Sequence, residues 1–390
     1  MRAAPWAALI SWVSLSFCLL LPSSARAQNP LSGFNPATLA GETRGVFLEA
    51  RAFCAENTLT LQPLLIGDQK KRPFRPGSSN TADGAWKTAS GLIWHGWKFA
   101  ALYRGEIYLK ANRDTLEILR LIDQKKNLPV GREYKIDIQA RGFSAFGVEV
   151  SKGMKFNILV PGLTAGFTAR YLQGEMIQEG KIEGRIIPVS KKSYNFDLSI
   201  DYVYDDNLVY DRLETIPGTG TGYSFDFGLQ YVMNTWFRGE ILCRDIGGRM
   251  FWKDVPYTDA NASSKNREYD SQGYQIYRPT IRGYESYKDY VQKIPLKTDI
   301  LISCQAGPFA LTPSVSFIDS RPFPWIDLSY RRVSHRRGKN FSLHTGYNPD
   351  YRAYSLGVAY GKVSLTISGS DTDINTTQFL GLMLSLQYPW

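Results

Sequence analysis

From Thr377 to Trp390 the chain places Leu380, Leu382, Leu384, Leu386, Tyr388 and Trp390 at every second position, with Phe379, Gly381, Met383, Ser385 and Gln387 between them. Successive side chains of an extended strand point to opposite faces, so this stretch predicts a strand with one face apolar along its whole length. Such a face suits a wall turned towards lipid better than the half-solvated sheet of a soluble protein. Pro389 interrupts the pattern only at the strand end, where a missing N–H need not join a ladder.

The beginning of the chain points to export. Arg2, the apolar run over residues 7 to 21 and Ala25-Arg26-Ala27 have the layout of a signal peptide over residues 1–27, cleaved after Ala27. Cys18 leaves with it, since bulky Phe17 is unsuited to a lipid-attachment box. Residues 28–390 contain no further apolar run of membrane-helix length, but a barrel carries its membrane signal in alternation. The 23 Tyr, 20 Phe, 9 Trp and 34 Gly supply the aromatic girdles and turns such a wall needs. Lys and Arg number 46 against 36 Asp and Glu, and loss of Arg2 and Arg26 lowers the surplus by two. That surplus is compatible with an anion-lined pore, with contact to lipopolysaccharide phosphates, or with a solvated periphery.

The C-terminal pattern resembles that of bacterial outer-membrane β-barrel proteins, in which alternating hydrophobics and a final Phe or Trp are read by the barrel-assembly machinery. The resemblance gives that role to Leu382, Leu384, Leu386, Tyr388 and Trp390. It implies the cell outer membrane of a Gram-negative bacterium, with lipid, lipopolysaccharide and the assembly machinery as partners. Asn35-Pro36-Ala37-Thr38-Leu39-Ala40-Gly41, just before the first predicted strand, resembles the fatty-acid-transporter type of barrel and its conjugation-associated relatives. Physically, its Pro and Gly residues predict a turn that delivers the chain to the barrel wall.

In chain order, strands are expected over residues 46–54, 86–94 and 98–110, with a Pro-bearing loop over 59–85. Residues 112–127 predict the one amphipathic helix, with Asp114 as N-cap, Glu117 three residues on, and Leu116, Leu119 and Ile122 as the apolar stripe packing at or in a mouth. Short strands follow at 134–141, 143–151, 154–160, 163–173, 176–187, 194–204, 223–231 and 236–244, with a Gly-rich loop over 207–222. Residues 253–295, full of tyrosines and charges between Tyr257 and Tyr290, are expected to form a long extracellular loop. Seven strands complete the chain. The fold class is therefore all-β, a transmembrane antiparallel barrel of about 16 strands (range 12–18), even in number, with a periplasmic C-terminus, short turns on the periplasmic side and long loops outside.

Alternation nominates Arg170, Arg185, Asp197, Asp201, Asp226, Arg238, Glu240, Arg244, Asp327, Arg331 and His344 as lumen-lining. Both signs are interleaved, which leaves open a polar channel or a narrow lumen filled by its own ion pairs. Cys54, Cys243 and Cys304 match no metal spacing, and Cys243 and Cys304, in neighbouring predicted strands, are expected to be buried small apolar residues rather than a disulfide. With three histidines, no zinc-protease motif or histidine-based metal cluster forms; no cofactor, and no nucleic acid, is expected. Passage of a small solute or hydrophobic compound is the expected function. A non-conducting barrel serving an envelope export or conjugation system is the first alternative. A barrel-embedded acyl hydrolase using Ser342 and His344 is the second, disfavoured because Cβ atoms two apart on a strand are ~6–7 Å apart.

Overall fold

The computed structural model describes residues 29–42, 44–58, 77, 79–156, 160–190, 193–205, 218–264, 267–269, 275–277, 281–333, 340–373 and 376–389. Its strands are β1 (Arg44–Glu56), β2 (Ser79–Trp94), β3 (Trp97–Asn112), β4 (Tyr134–Lys155), β5 (Leu163–Ser190), β6 (Ser193–Tyr204), β7 (Thr219–Val232) and β8 (Phe237–Ser263). The small hairpin β9 (Arg267–Tyr269) and β10 (Gln275–Tyr277) follows, then β11 (Ile281–Lys293), β12 (Lys297–Ala306), β13 (Phe309–Ile318), β14 (Arg321–Val333), β15 (Asn340–Asn348), β16 (Ala353–Tyr360), β17 (Val363–Gly369) and β18 (Phe379–Tyr388). One α-helix, α1 (Arg113–Asp123), joins β3 to β4, and a 3₁₀ turn (Pro36–Gly41) precedes β1.

Sixteen of these strands form one antiparallel sheet, and fourteen of them close a ring. Closure is made by the first and last strands, with Val46 opposite Tyr388, Leu48 opposite Leu386 and Ala50 opposite Leu384. The ring is thus smaller than the about 16 strands expected. The excess arises because β6 and β7 lie end to end on one stave between β5 and β8, and β11 and β12 do the same along the other edge of β8.

Several predicted strands are halves of longer ones. Residues 134–155 run through Gly142 without a turn, and Gly142 instead offers its carbonyl to the Gln292 amide at 3.0 Å. β5 passes through the expected turn at Gly174 with a register shift beside it, a bulge that bends the strand without ending it. The expected loop over 253–295 is mostly a tall hairpin of β8 and β11 paired from Arg249 to Ala262. Its alternation is hard to read because neither face is uniformly apolar and a bulge at Asp254 (φ 51°) flips the phase. β2 and β7 likewise begin within segments expected to be loops.

The outer face is apolar by strict alternation. On β16, Tyr354, Leu356, Val358 and Tyr360 are 65, 60, 42 and 53 % exposed while Ala353, Ser355 and Ala359 between them are buried. Leu356 lies beside Ile367 on β17, and Ile367 beside Leu382 on β18, so the exposed residues merge into a belt. Contiguous exposed apolar rows of this kind are uncommon on water-soluble monomers. Ring closure also removes the sheet edges that hydrocarbon does not tolerate. No helix among the described residues is long and apolar enough to cross a membrane.

Short connections, at His95-Gly96, Gly307-Pro308 and Gly361-Lys362, gather at the end where β1 begins. The tall end carries α1 and the β8–β11 hairpin. α1 does not enter the mouth. By the register of β4, Tyr134, Ile136 and Ile138 share the face of exposed Phe146 and Val148, and α1 packs Ile118 and Leu121 on that outer face. Its N-cap is Asn112, whose Oδ1 accepts from Thr115 N at 2.9 Å, not Asp114. Asp114 and Glu117 instead hold Arg132, whose pKa the Glu117 hydrogen bond raises. The expected stripe is rotated: Leu119 and Ile122 are exposed, because the backbone of β3 fixes how the helix starts.

Candidate functional site

The interior is filled from two sources, the N-terminal segment and inward side chains. Residues 29–42 run inside the short-turn end of the ring rather than along a turn outside the wall. Leu31, Ala37 and Leu39 are buried, and the 3₁₀ turn rests against β4, β5 and β7. Glycines make this approach possible: a side chain at Gly166 would collide with Pro36, and one at Gly228 with the Asn35 amide. Asn35 caps the turn through Oδ1, accepting from Ala37 N at 3.0 Å, and its Nδ2 donates to Leu229 O (3.1 Å) and Glu240 Oε2 (3.2 Å). Gly33 N donates to Asp299, while Arg51 and Arg244 donate to the carbonyls of Ser32 and Leu31. This segment is a plug.

Beside it lies a connected ionic network. Glu149, 1 % exposed, meets Lys87 Nζ at 2.8 Å, Lys98 Nζ at 3.2 Å and Arg170 Nε at 2.7 Å. Lys87 and Lys98 also reach Glu49, and Lys98 lies over the rings of Phe34 and Phe47 at 4.0 and 4.4 Å. Arg170 continues to Asp226, and Asp245 joins Arg104 (2.6 Å) and Lys297 (2.8 Å). Lys297 reaches Glu106 across the ring at 2.7 Å. Opposite charges at these separations in a desolvated interior compensate one another's burial, so the network is closed on itself and does not present a field of one sign.

Two apolar layers also line the lumen. One contains Leu102, Phe143, Leu172, Ile177, Met250, Trp252 and Ile294; the other joins Leu31 of the plug to Phe53, Ile318, Phe323, Trp325 and Phe379. Between them the β13–β14 turn leans inward. Arg321 pairs with Asp83 (2.6 Å) and lies over Tyr108, and Asp319 meets Arg141 at 3.1 Å. β14 and β3 are opposite one another in the ring, so this contact straps the lumen. Two cavities, of about 50 and 30 Å³, border the plug and the strap. Each holds a few waters at most.

Of the residues nominated by alternation, Arg170, Asp226 and Glu240 are buried in the network or against the plug, and Arg244 reaches the plug and Asp299 (2.9 Å). Arg238 is half-buried beside Glu240. His344 is buried on the opposite wall with Nε2 3.0 Å from Thr366 Oγ1, and Asp327 is half-buried there. Arg331 is exposed near the short-turn end; Arg185, Asp197 and Asp201 are exposed at the tall end, where Asp201 comes within 3.7 Å of Lys288. No hydrogen bond links Ser342 to His344. Leu382, Leu384, Leu386 and Tyr388 lie on the outer face opposite Ala52, Ala50, Leu48 and Val46; Trp390 lies outside the described residues, as does the predicted signal segment. Cys54, Cys243 and Cys304 are unpaired and partly or fully exposed rather than buried. The reading of inward charges missed Lys87, Lys98, Arg104, Glu106 and Glu149, although Lys98, Ala100, Leu102, Arg104 and Glu106 alternate legibly with Phe99, Ala101 and Tyr103.

No protein-family model matches the chain, and no curated protein matches it in sequence. Among solved structures it is similar to a deltaS2S3 mutant of the TodX monoaromatic hydrocarbon channel, at 9% identity over 91% of this chain and 93% of that one, with a TM-score of 0.47. It is also similar to the CymD monoaromatic hydrocarbon channel (12% identity, 91% of each chain, TM-score 0.41) and to the Pseudomonas putida toluene transporter TodX (9% identity, 95% and 96%, TM-score 0.36).

Proposed function

We propose that this chain is an outer-membrane barrel that passes a small apolar compound and is closed at rest to ions. The observation that carries the reading is the composition of the lumen. A water-filled channel has a polar interior, whereas here Phe53, Ile318, Phe323, Trp325 and Phe379 form an apolar inner layer directly above a plugged, ion-paired floor. An aromatic ring burying roughly 120 Å² against such a layer gains about 3 kcal/mol, which corresponds to millimolar binding and suits transit more than storage. The apolar outer belt would lie in the membrane, with the tall end outside, facing lipopolysaccharide. The assembly machinery would read the strand ending in Leu382, Leu384, Leu386, Tyr388 and Trp390.

The test is uptake of a radiolabelled monoaromatic hydrocarbon by cells with an intact outer membrane, with and without the chain. Faster initial uptake, reduced by Trp325→Ala and Phe323→Ala, is expected. A second reading, a non-conducting structural barrel of an export or conjugation system, draws support from the small size of the two cavities. Unchanged uptake with a normally assembled barrel would favour it.

A further inference from the structure

The wall opposite the plug has a different chemistry. β16 and β17 lie seven strands from β5 and β7 in either direction round the ring. Their inner residues, with those of β15, are small and mostly uncharged, and Asp327 and Arg331 of β14 border them. Register places them in rows: Asp327, Gly346, Ser355 and Ser368 in one; Ser329, His344, Gly357 and Thr366 in the next; Arg331, Ser342, Ala359 and Ser364 in a third. The two glycines let larger neighbours lie flat. The His344 ring covers Gly357 and the Asp327 carboxylate covers Gly346, each where a Cβ would collide with it.

Several polar atoms of this wall have no hydrogen-bond partner in the protein. These include His344 Nδ1, Ser364 Oγ, Ser368 Oγ and Asn348 Nδ2, on side chains only 2, 2, 1 and 0 % exposed. Unpaired buried donors and acceptors are unfavourable unless a hydrogen-bonding molecule meets them. On the other side the buried charged atoms without a hydrogen bond, such as Glu49 Oε1, Lys98 Nζ and Arg244 Nε, still have an opposite charge within ion-pair distance; this side offers uncharged hydroxyls, an imidazole and an amide. Successive rows lie about 7 Å apart, the reach of a short polyol that releases one row as it binds the next. The charged side chains bordering the wall are Asp327 and Arg331 of β14, one of each sign, too few to compensate for dehydrating an ion along its length.

We propose that the inner wall of β15–β17 is a binding path for small uncharged hydrogen-bonding solutes, with water and short polyols as its chemical class. It is independent of the apolar-solute reading, which concerns the layer around Phe323 and Trp325.

The test uses the refolded chain spanning Gln28 to Trp390 in phospholipid vesicles, with erythritol as the probe, swelling read by light scattering and KCl conductance measured in parallel. Wild type is expected to raise the erythritol swelling rate about tenfold over protein-free vesicles with no KCl conductance. Ser364→Leu, checked for folding by heat-modifiable mobility, should bring swelling back to the protein-free rate, and Ser364→Thr should keep it. Thr366→Leu serves if Ser364→Leu does not fold. Wild-type swelling at the protein-free rate overturns the proposal. So does swelling accompanied by steady KCl conductance, which reports a wide aqueous pore, or a folded leucine variant as fast as wild type.

Discussion

Replacing Asn35 by alanine removes that side chain's three hydrogen bonds together: the cap to Ala37 N within the plug, and the bonds to Leu229 O and Glu240 Oε2 that cross to the ring. Glu240 keeps Gln230 (2.9 Å) and Arg238 (3.1 Å), so its carboxylate is not stranded and the lower end of the usual range applies. The one neutral bond and the one to a charged group that cross to the ring then amount to about 2 kcal/mol of docking free energy. At 1.4 kcal/mol per tenfold, the undocked fraction rises about thirtyfold. In a planar bilayer, Asn35→Ala should therefore show brief openings about thirty times as often as wild type. Thr38→Val, which removes only a local bond from Thr38 Oγ1 to Asn35 O, serves as the control and should stay close to wild type. Equal opening frequencies in Asn35→Ala and wild type, or a wild type that already conducts steadily, would refute the plug's role.

Glu149→Gln leaves Lys87, Lys98 and Arg170 facing a neutral amide. It should lower folding stability by about 3–5 kcal/mol in urea titrations in lipid, with Lys87→Met added to it recovering part of the loss. Leu356→Arg, on the outer face midway along β16, should cost about 2–4 kcal/mol in the same assay if that belt meets hydrocarbon, and a loss near zero would place it outside the membrane. Asn112→Ala should destabilise α1 by about 1 kcal/mol, read as faster amide exchange over residues 113–123 with the ring unaffected.

The ring was legible where one face meets the outer belt and the other is small or charged. β16, β17 and β18 show clean alternation, and their partners follow from it. The tall hairpin was not legible, because above the belt neither face need be apolar and Tyr257, Tyr284 and Tyr287 fall among charges on both strands. Strand number was overcounted for a related reason: a glycine inside a long strand, as at Gly142, has the same local signature as a turn. The plug was visible as Asn35-Pro36-Ala37, but the features that show it lies inside the ring are glycines far along the chain, Gly166 and Gly228, whose relation to Pro36 and Asn35 exists only in three dimensions. The inward parity of Arg170 and Asp226 could be read locally; their pairing through β5 and β7 could not.

The most direct test of an apolar passage is a crystal of the chain soaked with a brominated monoaromatic compound and measured at the bromine edge. Bromine density inside the ring beside Phe323, Trp325 and Phe379 is the predicted result. Density confined to the outer belt, or none within the ring at a concentration that saturates millimolar sites, would contradict it.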